Sequence, residues 1–121
     1  MARDFKNIKA WQFADKLITN IYKLTKDFPK EEVYGITSQL RRAAVSVPAN
    51  IAEGATRNSD KEYVQFLYIA KSSLAEVEYL LHLSHNLAYL QDTNYNELDG
   101  LRVECAKTLY GLITAVVNNK S

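Results

Sequence analysis

Glu78, His82 and His85 have the side-chain types that bind a transition metal, and they fall at steps of four and three. On a helix that spacing puts all three on one face, where nitrogen and oxygen donors can share an ion. A carboxylate site inside a helical bundle, however, draws Glu-x-x-His from two helices and a further glutamate from each of two others. No second set occurs in this chain, so no metal is expected and a solvated or interface face is the plainer reading. Ser72 and Ser73 lack a histidine or lysine at a nucleophile-activating spacing, and small residues at a helix contact explain them better. Cys105 is the single cysteine, which excludes an intrachain disulfide and suits a small buried residue in a reducing compartment. The chain contains no phosphate loop, dinucleotide fingerprint or Cys/His cluster. Neither enzymatic activity nor a cofactor is therefore expected.

The segment Gln39 to Gly54, "QLRRAAVSVPANIAEG", is less ordinary. Arg42, Ser46, Asn50 and Glu53 follow one another at steps of four, four and three, forming a polar ladder down a helix. Beside it runs a thin apolar stripe, Leu40, Ala43, Ala44, Val47 and Ile51. Pro48 removes a backbone donor and leaves the Ala44 carbonyl without its usual partner. Because the stripe continues in register past it, a kink is expected rather than a stop. Serine and asparagine are poor mid-helix residues, and a solvated face normally carries better helix formers. The ladder is therefore read as a hydrogen-bonded network, within the chain or between chains. Asn50 and Arg42 would satisfy groups opened near Ala44, and Glu53 would pair with an arginine on the same or an adjacent subunit. Arg42, Ser46, Pro48, Asn50 and Glu53 are the candidate structural and interface residues. Arg41, Arg42, Arg57 and Lys61, with the N-terminal lysines, are the candidate contacts for nucleic acid.

Four periodic segments must hold these residues. The first uses Ile8, Trp11, Ala14, Leu17, Ile18, Ile21, Leu24, Thr25 and Phe28, with Pro29 as its stop. The second uses Ile36 to Ala55, with Thr37 or a neighbour as its cap and Gly54 just past its end. Ser59 and Glu62 form an S-x-x-E capping box for the third, whose face runs from Tyr63 through Leu67, Leu74 and Leu81 to Ala88. The fourth uses Leu98, Leu101, Cys105, Leu109, Leu112, Ile113 and Val116, with Asn94 and Glu97 as a cap pair. Gly100 and Gly111 within it suggest close approach of a neighbouring backbone. No run alternates as a strand does. The connections are short, so the expected fold is all-α: an antiparallel up-down-up-down four-helix bundle, kinked in helix two at Pro48.

A chain of 121 residues fits one domain spanning 1–121. The net charge of +1 and a pI near 7.8 give no overall electrostatic footprint for nucleic acid. The charge is uneven, with seven Lys/Arg against three Asp in residues 1–30 and four against seven Asp/Glu in residues 62–121. No apolar run approaches the ~20 residues of a membrane span, and the N-terminus is not a secretory signal, so a cytoplasmic location is expected.

Several of these residues also carry a likeness. Phe28-Pro29, Tyr34-Gly35, Gln39-Leu40-Arg41-Arg42-Ala43, Ser46, Pro48, Asn50-Ile51-Ala52-Glu53-Gly54, Ser59 and Ser73-Leu74-Ala75-Glu76 occur in that order, with Trp11-Gln12 upstream. In this the chain resembles the bacterial four-helix-bundle proteins first noticed as products of intervening sequences in the 23S ribosomal RNA gene. The likeness covers nearly the whole chain and is most specific over residues 28–81. It implies a cytosolic bundle that assembles into a homopentamer. It also implies kinship with the accessory protein of diversity-generating retroelements, a strongly basic pentamer that binds nucleic acid and a reverse transcriptase. This chain is nearly neutral. Two functions are thus in view: an oligomeric scaffold that docks a protein partner, or an accessory that binds RNA through a basic patch repeated around the oligomer.

Overall fold

The computed structural model describes residues 3–119. Four helices, α1 (Lys9–Thr25), α2 (Ile36–Ala55), α3 (Asp60–Asn86) and α4 (Asp92–Val117), pack in a closed ring. Each helix touches its chain neighbours, α1 also touches α4, and the diagonal pairs stay apart. Short 3-10 turns lie at Phe5–Asn7 and Lys30–Glu32. Cross-bundle contacts fix the directions. Arg3 reaches the carbonyls of Ala55 and Arg57, Arg41 reaches Thr25, Ser73 reaches Ser46, and Arg102 reaches Glu78. Arg3, just ahead of α1, meets the end of α2, Arg41 early in α2 meets the end of α1, and Ser46 and Ser73 meet at mid-helix, as an antiparallel up-down-up-down bundle requires.

The core follows the apolar stripes. Leu17, Ile21, Leu40, Val47, Ile51, Leu67, Val77, Leu81, Leu98 and Leu109 are almost fully buried. Burying each such side chain contributes about 1.5–3 kcal/mol. α2 is continuous through Pro48, with Val47, Ile51 and Ala55 buried to either side of it. The proline therefore does not divide the helix, because the packing of its stripe outweighs one lost backbone bond.

Several element ends differ from expectation. α1 stops at Thr25, before Pro29, where the Thr25 hydroxyl donates back to the Ile21 carbonyl at 2.7 Å. Phe28 is buried as expected, but from the turn, where it packs against Tyr89 at 5.5 Å between ring centroids. Thr37 does not cap α2. Glu32 does so from the preceding turn, its Oε1 accepting the Ile36 N–H at 3.1 Å while its Oε2 accepts from the Tyr89 hydroxyl at 2.8 Å. Gly35 makes room for that carboxylate, since a Cβ there would stand 2.5 Å from Glu32 Oε1. The bond to Glu32 is the main reason the Tyr89 phenol titrates above its ordinary range. Ser59 caps α3 as read, accepting from the Glu62 N–H at 3.2 Å. α4 begins at Asp92, so Asn94 and Glu97 lie inside it. Gly100 and Gly111 face open space, and no neighbouring backbone approaches them.

The apolar face of α3 does not extend to Ala88. The helix ends at Asn86, and Ala88 is exposed with φ 62°. Its N–H donates to the His85 carbonyl and the Tyr89 N–H to that of Ser84, the paired bonds of a Schellman ending. Glycine usually fills this position, because a Cβ in the left-handed region costs about 1–2 kcal/mol. Part of that is recovered in the unfolded state, where alanine is less free than glycine. Ala88→Gly is expected to stabilise by about 0.5–1 kcal/mol and to raise the melting temperature by about 2–5 °C. A lower melting temperature in a calorimetric scan would contradict the turn geometry.

Candidate functional site: the polar seam between α2 and α3

α2 and α3 share the most extensive contact in the bundle. Small residues allow it: Ala43, Ser46 and Gly54 on α2, and Ala70 and Ser73 on α3. Gly54 is buried within α2 rather than past its end. A Cβ there would lie 2.7 Å from Phe66 Cβ and 3.1 Å from Tyr63 Cδ1. The helices therefore meet backbone to side chain at this level, a closeness that only glycine permits.

The polar ladder splits between two environments. Ser46 and Asn50 turn toward α3. Ser46 Oγ accepts from Ser73 Oγ at 2.7 Å and from Asn50 Nδ2 at 3.0 Å, while the same amide group donates to the Ser46 carbonyl at 2.8 Å. Half the ladder is thus a satisfied network inside one chain, but centred on Ser46 and not on the Ala44 carbonyl. Arg42 and Glu53 turn outward. Glu53 is 56% exposed at its side chain and meets Arg57 at 3.2 Å, one turn on. A pair this exposed contributes about 0–1 kcal/mol within a single chain. Its spacing marks Ser73 as a small contact residue; its role as the third member of the network needs the register of α3 against α2, which spacing within one helix does not contain.

The four candidate nucleic-acid contacts do not converge within a chain. Arg41 is held between α1 and α2, with Nε donating to the Thr25 hydroxyl at 2.8 Å, Nη2 to the Tyr22 carbonyl at 3.2 Å and the guanidinium over the Tyr22 ring at 4.5 Å. Arg57 lies 16 residues on, about 24 Å along the helix direction. There it stacks on Phe66 at 4.5 Å and pairs with Glu53. Arg42 sits on the outer surface near Arg41, and Lys61 is exposed near Arg57. The basic residues thus form two separate groups at opposite ends of α2.

The metal-type side chains also diverge. Glu78 faces Arg102 at 3.6 Å, His82 Nε2 meets the Asn86 amide, and His85 Nε2 meets Asp92 Oδ1 at 2.6 Å while stacking on Tyr95. Among the described residues no three His, Cys, Asp or Glu side chains gather as ligands. Burial would lower the Arg102 pKa, but its bond to Asp99 and the charges of Asp99 and Glu78 raise it overall. Cys105 is fully buried, its thiol 3.5 Å from the Ala10 carbonyl, and burial pushes its pKa up to about 12. Since the thiolate is the reactive form, native protein at pH 8–9 is expected to resist thiol reagents, and denaturant is expected to release one equivalent. Rapid labelling of the native protein would show that α4 opens from α1.

With the four-helix ring and this seam in view, comparison with known proteins is informative. The profile of the family described as "23S rRNA-intervening sequence protein" matches residues 6–111. The chain belongs to the 23S rRNA-intervening sequence protein family. A crystal structure from Bacteroides thetaiotaomicron VPI-5482, a protein of unknown function from the S23 ribosomal protein family, superposes with a TM-score of 0.73 at 28% identity. The match covers 87% of this chain and 94% of that one. A search of the curated proteins finds no match. The intervening-sequence family match covers α1, α2, α3, most of α4 and the whole seam, including Ser46, Asn50, Gly54 and Ser73. No helix among the described residues is long and apolar enough to cross a membrane.

Proposed function

We propose that this chain is a non-enzymatic, cytoplasmic interaction module that assembles with copies of itself, as a homopentamer, to present a docking surface to a protein partner. The observation that carries the reading is the outward surface of α2. Val45 and Ala49 are exposed there, Ala52 is half-buried, and Arg42 and Glu53 border them. Ile69 adds an exposed apolar side chain on α3, about level with Ala49 in the register set by Ser46 and Ser73. A surface of small apolar residues edged by opposite charges suits the close, specific approach of another helix. Arg42 and Glu53 would then find partners between subunits, the second half of the ladder's expected role.

Binding to RNA is the alternative. It draws on the relative's S23 ribosomal protein family name and on the family's own name. The internal partners of Arg41 and Arg57, and their separation, favour the scaffold instead.

Light scattering tests the proposal. The wild-type protein is expected at five times the 13.8 kDa chain mass. Val45→Glu with Ala49→Glu is expected to yield monomers of unchanged helicity. Asn50→Ala is expected to cost about 1–2 kcal/mol by removing the amide's two hydrogen bonds to Ser46. Glu53→Ala should shift mass only if its second partner lies on another subunit. A monomeric wild type would overturn the assembly reading.

A further inference from the structure

At the end of the bundle away from the chain termini, the last turn of α1, residues 26–35 and the first turn of α2 enclose an open cleft. Its lining includes Lys26, Lys30, Arg41, Thr37, Phe28 and Val33, and no carboxylate. The geometry points to a binding site for a phosphate group. Neither lysine has an ion-pair partner among the described residues. Arg41 is already positioned by Thr25 and Tyr22, which occupy Nε and Nη2 and leave Nη1 to donate elsewhere. Thr37 supplies an independent indication. It is only 7% exposed, it lines the cleft, and its hydroxyl has no hydrogen-bond partner among the described residues. Its oxygen is not sealed off, since Arg57 Nε alone is both buried and unpartnered among the described side chains, so the hydroxyl stands open to bond a ligand oxygen in the cleft.

Three cations and a hydroxyl fit a dianion with several acceptor oxygens better than a single carboxylate. The start of α2 adds the positive end of its dipole, partly offset by Glu32, which already holds the Ile36 N–H. Asp27 and Glu31 neighbour the lysines in sequence but do not line the cleft. Phe28 and Val33 provide apolar walls for an organic group carrying the phosphate. This site shares Arg41 with the candidate contacts named by number from the sequence, and its two lysines belong to the basic stretch of residues 1–30. It lies within a single chain and does not depend on self-assembly.

The test is a titration of the isotopically labelled full chain, followed by backbone amide resonances at constant ionic strength. Inorganic phosphate is expected to shift Thr37 and Arg41 saturably, and acetate to leave them in place. Lys26→Gln with Lys30→Gln should weaken binding by about tenfold or more, the scale of losing charged hydrogen bonds. Thr37→Val should weaken it several-fold while the melting temperature holds. A short single-stranded oligonucleotide, compared per phosphate, distinguishes the sources. Tighter binding than the free ion assigns the site to a phosphate within a nucleic-acid chain, and equal or weaker binding assigns it to a small phosphate compound. No saturable shift, an equal response to acetate, or indifference to the substitutions would overturn the proposal.

Discussion

Gly54→Val is expected to destabilise the fold by about 3 kcal/mol and to lower its melting temperature by about 10 °C or more. The added Cβ alone would stand 2.7 Å from Phe66 Cβ, an atom fixed to the α3 backbone that cannot swing aside. The helices must separate, and they must do so along their most extensive contact. The branched methyl groups of valine enlarge the clash. Helix propensity acts the other way, since glycine is worse than most residues by a few tenths to about 1 kcal/mol, but that gain is smaller than the loss of packing. Gly54→Ala separates the two effects, with a smaller clash of about 1–2 kcal/mol against the largest propensity gain. Chemical denaturation of both variants is the measurement. If Gly54→Val melts within 2 °C of wild type, α3 does not pass this close to α2.

The second large effect concerns Arg3. Its guanidinium donates to the Arg57 carbonyl at 2.8 Å, to the Ala55 carbonyl at 3.4 Å and to Asp60 Oδ1 at 2.7 Å, and it lies 4.2 Å over the Tyr63 ring. One side chain thus takes up carbonyls at the end of α2, where a helix has none of its own donors left. It also braces the start of α3. Arg3→Ala is expected to cost about 2 kcal/mol, from charged hydrogen bonds and the ring contact, discounted because the group is partly exposed. Arg3→Lys should lose most of this, because an ammonium's three donors radiate from one nitrogen and cannot span acceptors that the guanidinium reaches from two. Asp60→Asn should cost about 1 kcal/mol, since it removes the ion pair and leaves one oxygen for the two donors of Arg3 and Asn119. Equal effects for Arg3→Ala and Asp60→Asn in a double-mutant cycle would mean that the carbonyl contacts contribute nothing.

How far the sequence revealed this structure depends on the range of the interactions involved. Leu40, Val47 and Ile51, or Leu67, Leu74 and Leu81, announce their burial through helical period alone, and Ser59 announces its cap through Glu62 three residues on. Several errors arose where a distant segment decided a local matter. α1 ends early because the backbone tightens ahead of Pro29, with the Asp27 and Phe28 N–H groups donating three residues back to Leu24 and Thr25, and Arg41 from α2 then braces Thr25. Glu32 displaces Thr37 as the cap because it also serves Tyr89, far along the chain. Gly54 read as a helix ending, although its meaning is the proximity of Phe66. Gly100 and Gly111 read as close contacts and are open. The ladder was half legible: its polarity at Ser46 and Asn50 was evident, but Ser73, which completes it, comes from another helix. The cleft at Thr37 left no local pattern, since its cations come from the turn after α1 and from α2.

Asp60 has a consequence beyond stability. Its Oδ1 is held by Arg3 and its Oδ2 by the Asn119 amide at 2.7 Å, so the two ends of the described chain grip one carboxylate. The polypeptide is therefore nearly a closed loop, and where it begins is almost arbitrary to the fold. A short peptide joining the ends, with new termini opened at the exposed residues 87–88 between α3 and α4, would rewire the chain order while keeping every helix neighbour. The same proximity means that two labels placed at the ends would report on each other, and would part when this corner of the bundle opens.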